Sequence, residues 1–271
     1  MRRAEQIKRA KAYNRFIRIN ERLAFKRIYA ELNRPIRQIT KRLPQEKQEL
    51  NYEAIILSSL PKLEVAMTGV INTVAGKYVR NVLPSHFEMD LPIKNENNIT
   101  NAQDFKLSVL QIMALFAGRQ AQVAVNQITQ TTLKVIRKIV SDGFSQGLPY
   151  AEIAEKIGER LKFNQSRAMI IARNTVSDAA LRATDVAKDE LIDRLGRLDS
   201  LSRPPQVMKR WVAAVDERTR PTHSAMNSKP YIPESQKFDV GGFSADRPRD
   251  PNLPAKEVIN CRCNVLYKVI A

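Results

Sequence analysis

The residues best suited to metal or acid–base chemistry gather near the C-terminal end of this 271-residue chain. Cys261 and Cys263 are its only cysteines, and His223 is one of two histidines. Two thiolates and an imidazole can supply three zinc ligands, with Asp216 as a fourth. The spacing differs from that of zinc fingers and ribbons, and free cysteine also behaves as a small buried hydrophobe. We therefore expect no metal, no other cofactor and no disulfide, with His223 hydrogen-bonded in the loop that Asp216 begins.

Asp216 opens a turn-prone segment that contains Arg218 and Thr219. A carboxylate in this position can accept backbone N–H bonds and pair with an arginine, which would lock an irregular loop. Because a lone Asp–Arg pair is more often an ion pair than an acid–base site, we interpret Asp216 as structural, with catalysis as the alternative. No convincing nucleophile–base–orienter set accompanies it, and His223 with Asn227 only faintly resembles a metal-dependent nuclease motif. The sequence thus predicts no catalytic residue and no enzymatic activity.

Two predicted strands position these residues. Residues 211–215, which begin with the only tryptophan, Trp211, and residues 264–270 have the composition of strands. On a strand Cys261 and Cys263 would share one face, with Arg262 on the other. The prolines and glycines between the two strands exclude a long regular element. We expect a small mixed unit docked on helices.

Upstream of the strands, the spacing of apolar residues predicts helices, separated by a polar loop over residues 90–101. Pro84 ends the helical stretch that precedes this loop, and the helix that follows the loop ends near Gly143. The predicted helices cover residues 45–82 with a break at Pro61, then 104–140, 149–161 and 165–192. The fold class is therefore α+β, mainly α-helical with long N-terminal helices and a small C-terminal mixed α/β unit.

The first 42 residues form a basic amphipathic arm with fourteen Lys and Arg against three Glu. At helical spacing, one face carries Lys8, Lys11, Arg15, Arg18, Arg22 and Lys26. The opposite face carries Ala10, Tyr13, Phe16, Ile17, Leu23, Ala24 and Ile28. Such a row is either a solvated face or a contact for a polyanion. The net charge of +17 favours nucleic acid or an acidic protein surface as partner.

The start of the chain lacks the apolar segment of a signal peptide. We also expect no apolar stretch long enough to span a bilayer. We therefore expect no membrane contact. The composition divides the chain into a basic arm over 1–42, a helical region over 43–145 and a C-terminal domain over 146–271.

A series of motifs, in order and spacing, resembles the head morphogenesis domain of tailed-phage minor head proteins related to the Mu F protein. The similarity covers about residues 146–267. It is carried by residues 168–177, Trp211, 216–220, His223, Phe238, Gly241, Gly242, 248–251 with Asp250, and 257–263 with Asn260, Cys261, Arg262 and Cys263. Some relatives have an additional cysteine pair where this chain has residues 220–222, which argues further against a complete zinc site.

The resemblance implies a minor virion protein that lies inside the capsid near the portal vertex, after assembly in the host cytoplasm. It implies association with the portal protein during assembly and a role in DNA packaging or delivery. The net charge of +17 adds packaged double-stranded DNA as an expected partner, with scaffold or major capsid protein as further candidates. The resemblance implies no established enzymatic activity. The rival hypotheses are a DNA-processing nuclease or toxin-like effector carried in the virion, and a nucleic-acid-binding protein of the host.

Overall fold

The structure is a computed structural model and describes residues 3–90, 102–162, 164–197 and 204–270. Six helices of at least seven residues dominate the described chain. One strand lies between the third and fourth of these helices, and the other strands and two short helices follow the sixth. The helices are α1 (Arg3–Glu46), α2 (Tyr52–Ser58), α3 (Leu60–Asn81), α4 (Ala102–Ser145), α5 (Tyr150–Lys162), α6 (Asn164–Gly196), α7 (Pro221–Ala225) and α8 (Ala255–Val258). The strands are β1 (Phe87–Asp90), β2 (Gln206–Val212), β3 (Ile232–Pro233), β4 (Phe238–Val240), β5 (Phe243–Ala245) and β6 (Asn264–Ile270). The predicted α+β, mainly α-helical class is confirmed.

The helix predicted over 45–82 is divided twice. The expected break at Pro61 occurs, since α2 ends at Ser58 and Pro61 lies in the first turn of α3, where its missing N–H costs least. A second break was not predicted. Asn51 caps α2, and its side-chain oxygen accepts the backbone N–H of Ala54 at 2.9 Å. An asparagine that satisfies a free helix donor favours a new start over continuation.

Helix α4 ends two residues beyond the predicted Gly143, and the glycine that ends it is Gly147, with φ of 65°. Gly143 itself has another role. A Cβ at this position would lie 2.6 Å from Cγ1 of Ile153 on α5, so only glycine permits this close approach. The loop predicted over 90–101 lies outside the described residues, apart from Asp90, which ends β1.

The main sheet has the strand order β1-β6-β2-β3. Strand β6 pairs parallel with β1 and antiparallel with β2, with Phe87 opposite Tyr267 and Trp211 opposite Val265. Strands β4 and β5 form a separate hairpin, turned by Gly241 and Gly242, which both have positive φ. Strand β1 was not predicted. Four residues after a helix carry too little alternation to reveal a strand.

The chain divides into two compact units. The first unit comprises Met1–Asn20, Asn72–Leu115 and Val176–Ala271, and the second comprises Glu21–Ile71 and Phe116–Thr175. Both units combine separate stretches of chain, whereas the three-part sequence division uses consecutive segments and stays a prediction. The second unit is helical, with a core of Ile36, Ile39, Leu43, Leu50, Ile55, Ile56, Leu133, Ile136, Val140, Ile153, Ala154 and Ile157. The first unit contains the sheet, the hairpin and the site residues predicted between Trp211 and Cys263.

One segment corrects the expectation about bilayer-spanning length. Among the described residues, Tyr52–Asn81 covers 30 residues and includes an 18-residue window of mean hydropathy 1.5. By length and composition alone it is apolar enough to cross a membrane, and 28% of that window is buried. Leu63 and Met67 are buried in the second unit and Val74 and Tyr78 in the first, at the spacing of a helix face that packs on protein. The absence of a membrane partner stays a prediction.

Candidate functional site

Asp216 is the centre of a clamp of hydrogen bonds in the first unit. Strand β2 ends at Val212, earlier than predicted, so three residues separate it from Asp216. Arg262 donates to both oxygens of the carboxylate, with Nη1–Oδ2 at 2.5 Å and Nη2–Oδ1 at 2.7 Å. Arg18 of α1 adds a bond of 3.2 Å, and the backbone N–H of Arg218 donates to Oδ1 at 3.1 Å. The carboxylate therefore ties three stretches of chain together.

The protonation state of Asp216 follows from these donors. The hydrogen bonds from Arg262 lower the pKa of Asp216 to about 2. Thr219 supports the turn, since its hydroxyl donates to the carbonyl of Ala214 at 2.7 Å. A carboxylate held ionised by a bidentate arginine is poorly suited to accept a proton near neutral pH. This geometry supports the structural interpretation of Asp216. The guanidinium of Arg262, and not that of Arg218, is the partner.

His223, Cys261 and Cys263 converge in the core of the first unit. His223 lies on α7, and its Nδ1 is 3.2 Å from Sγ of Cys263 and 3.7 Å from Sγ of Cys261. Their potential ligand atoms all lie within 4.8 Å of one another, and Asp216 does not join them. The expectation that His223 bonds within the Asp216 loop is therefore wrong. The cysteines precede β6 instead of lying on a strand, yet both sulfurs still face the histidine.

Glu257 completes this cluster on the far side of the imidazole. Its Oε2 lies 2.9 Å from Nε2 of His223 and accepts the hydroxyl of Thr222 at 3.1 Å. Both Glu257 and His223 are buried. A hydrogen bond from Cys263 lowers the pKa of Cys261, whereas burial raises the pKa of the Cys263 thiol. The first proton of the pair is thus lost easily and the second with difficulty.

A second clamp holds the turn before the cysteines. Arg249, buried and with φ of 61°, pairs with Asp178 of α6 through Nε–Oδ1 at 2.6 Å and Nη2–Oδ2 at 3.2 Å. Its Nη1 donates to the carbonyl of Val258 at 3.1 Å. Asp250 accepts the backbone N–H groups of Asp246 and Asn252 at 2.7 and 2.8 Å. These are structural contacts.

Sequence reasoning missed Glu257, Arg249 and Asp178 as site residues. Glu257 and Arg249 lie in the motifs that carry the resemblance, but their partners are distant in the chain, so spacing alone gives no signal. Trp211 and Asn260 were named. Trp211 is buried and packs edge-on against His223, with ring centroids 5.4 Å apart, and Asn260 turns the chain with φ of 60° just before Cys261.

The predicted basic row lies on α1 and is exposed. Its members in the first unit are Lys8, Lys11, Arg15 and Arg18, and those in the second are Arg22 and Lys26. Most of the predicted apolar face is buried, but Leu23 is 47% exposed, which corrects its assignment to that face. Among the described residues, no carboxylate lies within salt-bridge distance of Lys8, Lys11 or Arg15, whereas Arg18 pairs with Asp216.

The fold and the site define a mainly helical protein with a small C-terminal α+β domain whose turns are held by buried and half-buried polar residues. Residues 134–266 match the family described as Phage Mu protein F like protein. This segment, just under half of the chain, is therefore similar to a phage head morphogenesis family that includes minor head proteins.

Two curated relatives match the chain. The protein named NAD(+)–arginine ADP-ribosyltransferase EFV of Enterococcus faecalis is 25% identical over 234 residues, which is 84% of this chain and 44% of that protein. The minor head protein GP7 of Bacillus phage SPP1 is 22% identical over 134 residues, which is 49% of this chain and 40% of that protein. The chain thus spans less than half the length of either relative. No solved structure matches it significantly.

Proposed function

We propose that the protein is a minor head protein of a tailed phage, located in the virion near the portal vertex. It binds the portal protein and the packaged DNA during head assembly, packaging or genome delivery. The observation that carries this proposal is the family match over residues 134–266. The name of the phage SPP1 relative agrees with it.

The contact with DNA rests on the exposed cations of α1. Lys8, Lys11 and Arg15 are separated by three and four residues, so they lie on one helix face. Their charges are available to phosphates because no described carboxylate pairs with them. Each phosphate contact releases counterions, which makes binding independent of sequence and steeply dependent on salt.

The C-terminal domain acts in this proposal as a structural and docking element without enzymatic activity. Its best-placed carboxylate, Asp216, is held ionised by Arg262 at 2.5 and 2.7 Å. The name of the Enterococcus relative raises ADP-ribosyl transfer as a second function, but this chain covers only 44% of that protein. No feature of the described site favours that reaction over the structural role.

The portal part is tested by co-purification. The full chain is expressed with a portal protein, the ring is isolated by size, and the number of bound chains is measured by native mass spectrometry. A defined, small number of chains per ring is the expected result. Rings free of the chain at micromolar concentrations of both proteins would overturn portal binding.

The DNA part is tested with a triple variant, Lys8→Gln, Lys11→Gln and Arg15→Gln. On duplex DNA the slope of log K against log salt should become shallower by about 0.9 for each phosphate that the variant no longer neutralises. The matched control changes three exposed lysines elsewhere, Lys62→Gln, Lys134→Gln and Lys229→Gln, and removes the same amount of charge. The control should retain most of the slope. Equal effects of the two variants would attribute binding to net charge alone and not to α1.

A further inference from the structure

The buried cluster of His223, Cys261 and Cys263 has the dimensions of a zinc site. Zinc binds thiolate sulfur at about 2.3 Å and imidazole nitrogen at about 2.0 to 2.1 Å, which in a tetrahedron separates nitrogen and sulfur by roughly 3.6 Å. The two nitrogen–sulfur distances here are 3.2 and 3.7 Å. Shifts of a few tenths of an ångström would therefore accommodate the ion.

The surroundings of the cluster are those of a metal ligand set. Metal-bound histidines commonly have a carboxylate at the ring nitrogen that does not bind the metal, which orients the ring. Glu257 takes this place, since its Oε2 lies 2.9 Å from Nε2 and leaves Nδ1 directed at the sulfurs. The backbone N–H of Cys263 points at Sγ of Cys261 at 3.5 Å, an interaction that stabilises a thiolate. Trp211 and Phe238 enclose the group in apolar surface.

We propose that His223, Cys261 and Cys263 bind a zinc ion that fastens α7 to the segment preceding β6. This reverses the expectation from spacing alone, because spacing does not show that a histidine 38 residues away faces both sulfurs. Asp216 is not the fourth ligand, since Arg262 and Arg18 occupy its oxygens. Among the described residues no further acid, histidine or cysteine offers a ligand atom to this group, since Glu257 faces the other ring nitrogen of His223, so the protein supplies three ligands.

The role of the ion is structural. The three ligands are each no more than 2% exposed, so the site has no open approach for a substrate. Two thiolates in an apolar core require a nearby positive charge, and a divalent ion supplies it. Binding to the folded state alone would stabilise the first unit. The inference goes beyond the proposed function and does not depend on it.

The test begins with the full chain purified under reducing conditions, without chelator, from zinc-supplemented medium. Metal analysis should find about one zinc per chain. Occupancy should fall at least tenfold in Cys263→Ser and His223→Gln. The control Asp216→Asn, which weakens the neighbouring clamp, should keep its zinc and thereby separates the removal of a ligand from destabilisation.

A second variant keeps the inference testable if these substitutions prevent folding. Glu257→Gln leaves all three ligands in place and should weaken zinc affinity about 10- to 100-fold in competition with a chromophoric chelator. In the parent, replacement of zinc by Co²⁺ should give thiolate-to-metal absorption. A parent protein without zinc, whose melting temperature does not rise when zinc is added, would overturn the site. A Cys261–Cys263 disulfide in the freshly reduced protein, or full zinc occupancy in Cys263→Ser, would do the same.

Discussion

Replacement of Asp216 by Asn tests the clamp that joins α1, the turn after β2 and the segment before β6. Asparagine keeps the shape and one oxygen for the backbone N–H of Arg218, but it loses the charge that holds Arg262 at 2.5 and 2.7 Å and Arg18 at 3.2 Å. The side chain of Arg262 is 11% exposed, so the carboxylate charge would be lost next to a largely desolvated guanidinium. The variant should therefore be less stable.

The magnitude follows from the pKa of Asp216, which falls from 3.8 to about 2 on folding. A shift of this size corresponds to about 2.5 kcal/mol. Because 22% of the Asp216 side chain is exposed, solvent screens the pair, and we expect a loss of about 1–2 kcal/mol. For a chain of this size that loss lowers the melting temperature by about 2–8 °C.

The pH dependence identifies the ionised carboxylate as the cause. Asp216 binds its proton more weakly in the folded state, so its contribution is full above pH 4 and is lost as the pH falls through about 2. The gap between parent and Asp216→Asn, measured by thermal melts from pH 7 to pH 3, should narrow below pH 4.

The control is Asp193→Asn, which removes an exposed partner of Arg197 on α6 and should cost less than about 0.5 kcal/mol. Two results would refute the reasoning. One is an Asp216→Asn protein that melts like the parent at pH 7. The other is a stability gap that stays constant down to pH 3.

Two further outcomes are expected. Gly241→Ala should be less stable than Gly242→Ala by about 1–2 kcal/mol, measured by urea unfolding. Both glycines have positive φ, but only at Gly241 would a Cβ lie 2.7 Å from Cγ2 of Thr222. Equal losses of stability in the two variants would contradict this close approach. Burial lowers the pKa of His86 from 6.5 to about 4, so stability should fall as the pH is lowered between these values, by at most about 1.4 kcal/mol per pH unit. His86→Gln should show a shallower dependence, and an unchanged slope would assign the effect to other groups.

The helices could be predicted because amphipathic periodicity and the effect of proline depend only on residues that are close in sequence. The basic row of α1 and the break at Pro61 needed no knowledge of the fold. The start of α2 at Asn51 was missed because asparagine is common both at caps and in solvated helix faces. Strand β1 was missed because, within the described part of the chain, it pairs with β6 alone, which lies far along the sequence.

The site was predictable in its members but not in their partners. Asp216 and Arg262 were both named, yet only the fold shows that they meet. Arg249 adopts positive φ and pairs with Asp178 on α6. Neither property can be inferred from residue spacing. The same holds for Glu257, whose importance depends on which ring nitrogen of His223 it faces.

The pairing of β6 with β1 has a consequence for how the domain can be isolated. The family match begins at residue 134, but β1 at Phe87–Asp90 and Tyr78, which accepts a bond from Asn264 across 186 residues of chain, both precede it. A fragment cut at the family boundary would leave β6 with an unpaired edge and Asn264 without this partner. Unpaired edges template aggregation. The segment delimited by similarity thus does not coincide with a compact unit of the fold, and a soluble fragment must carry the earlier residues with it.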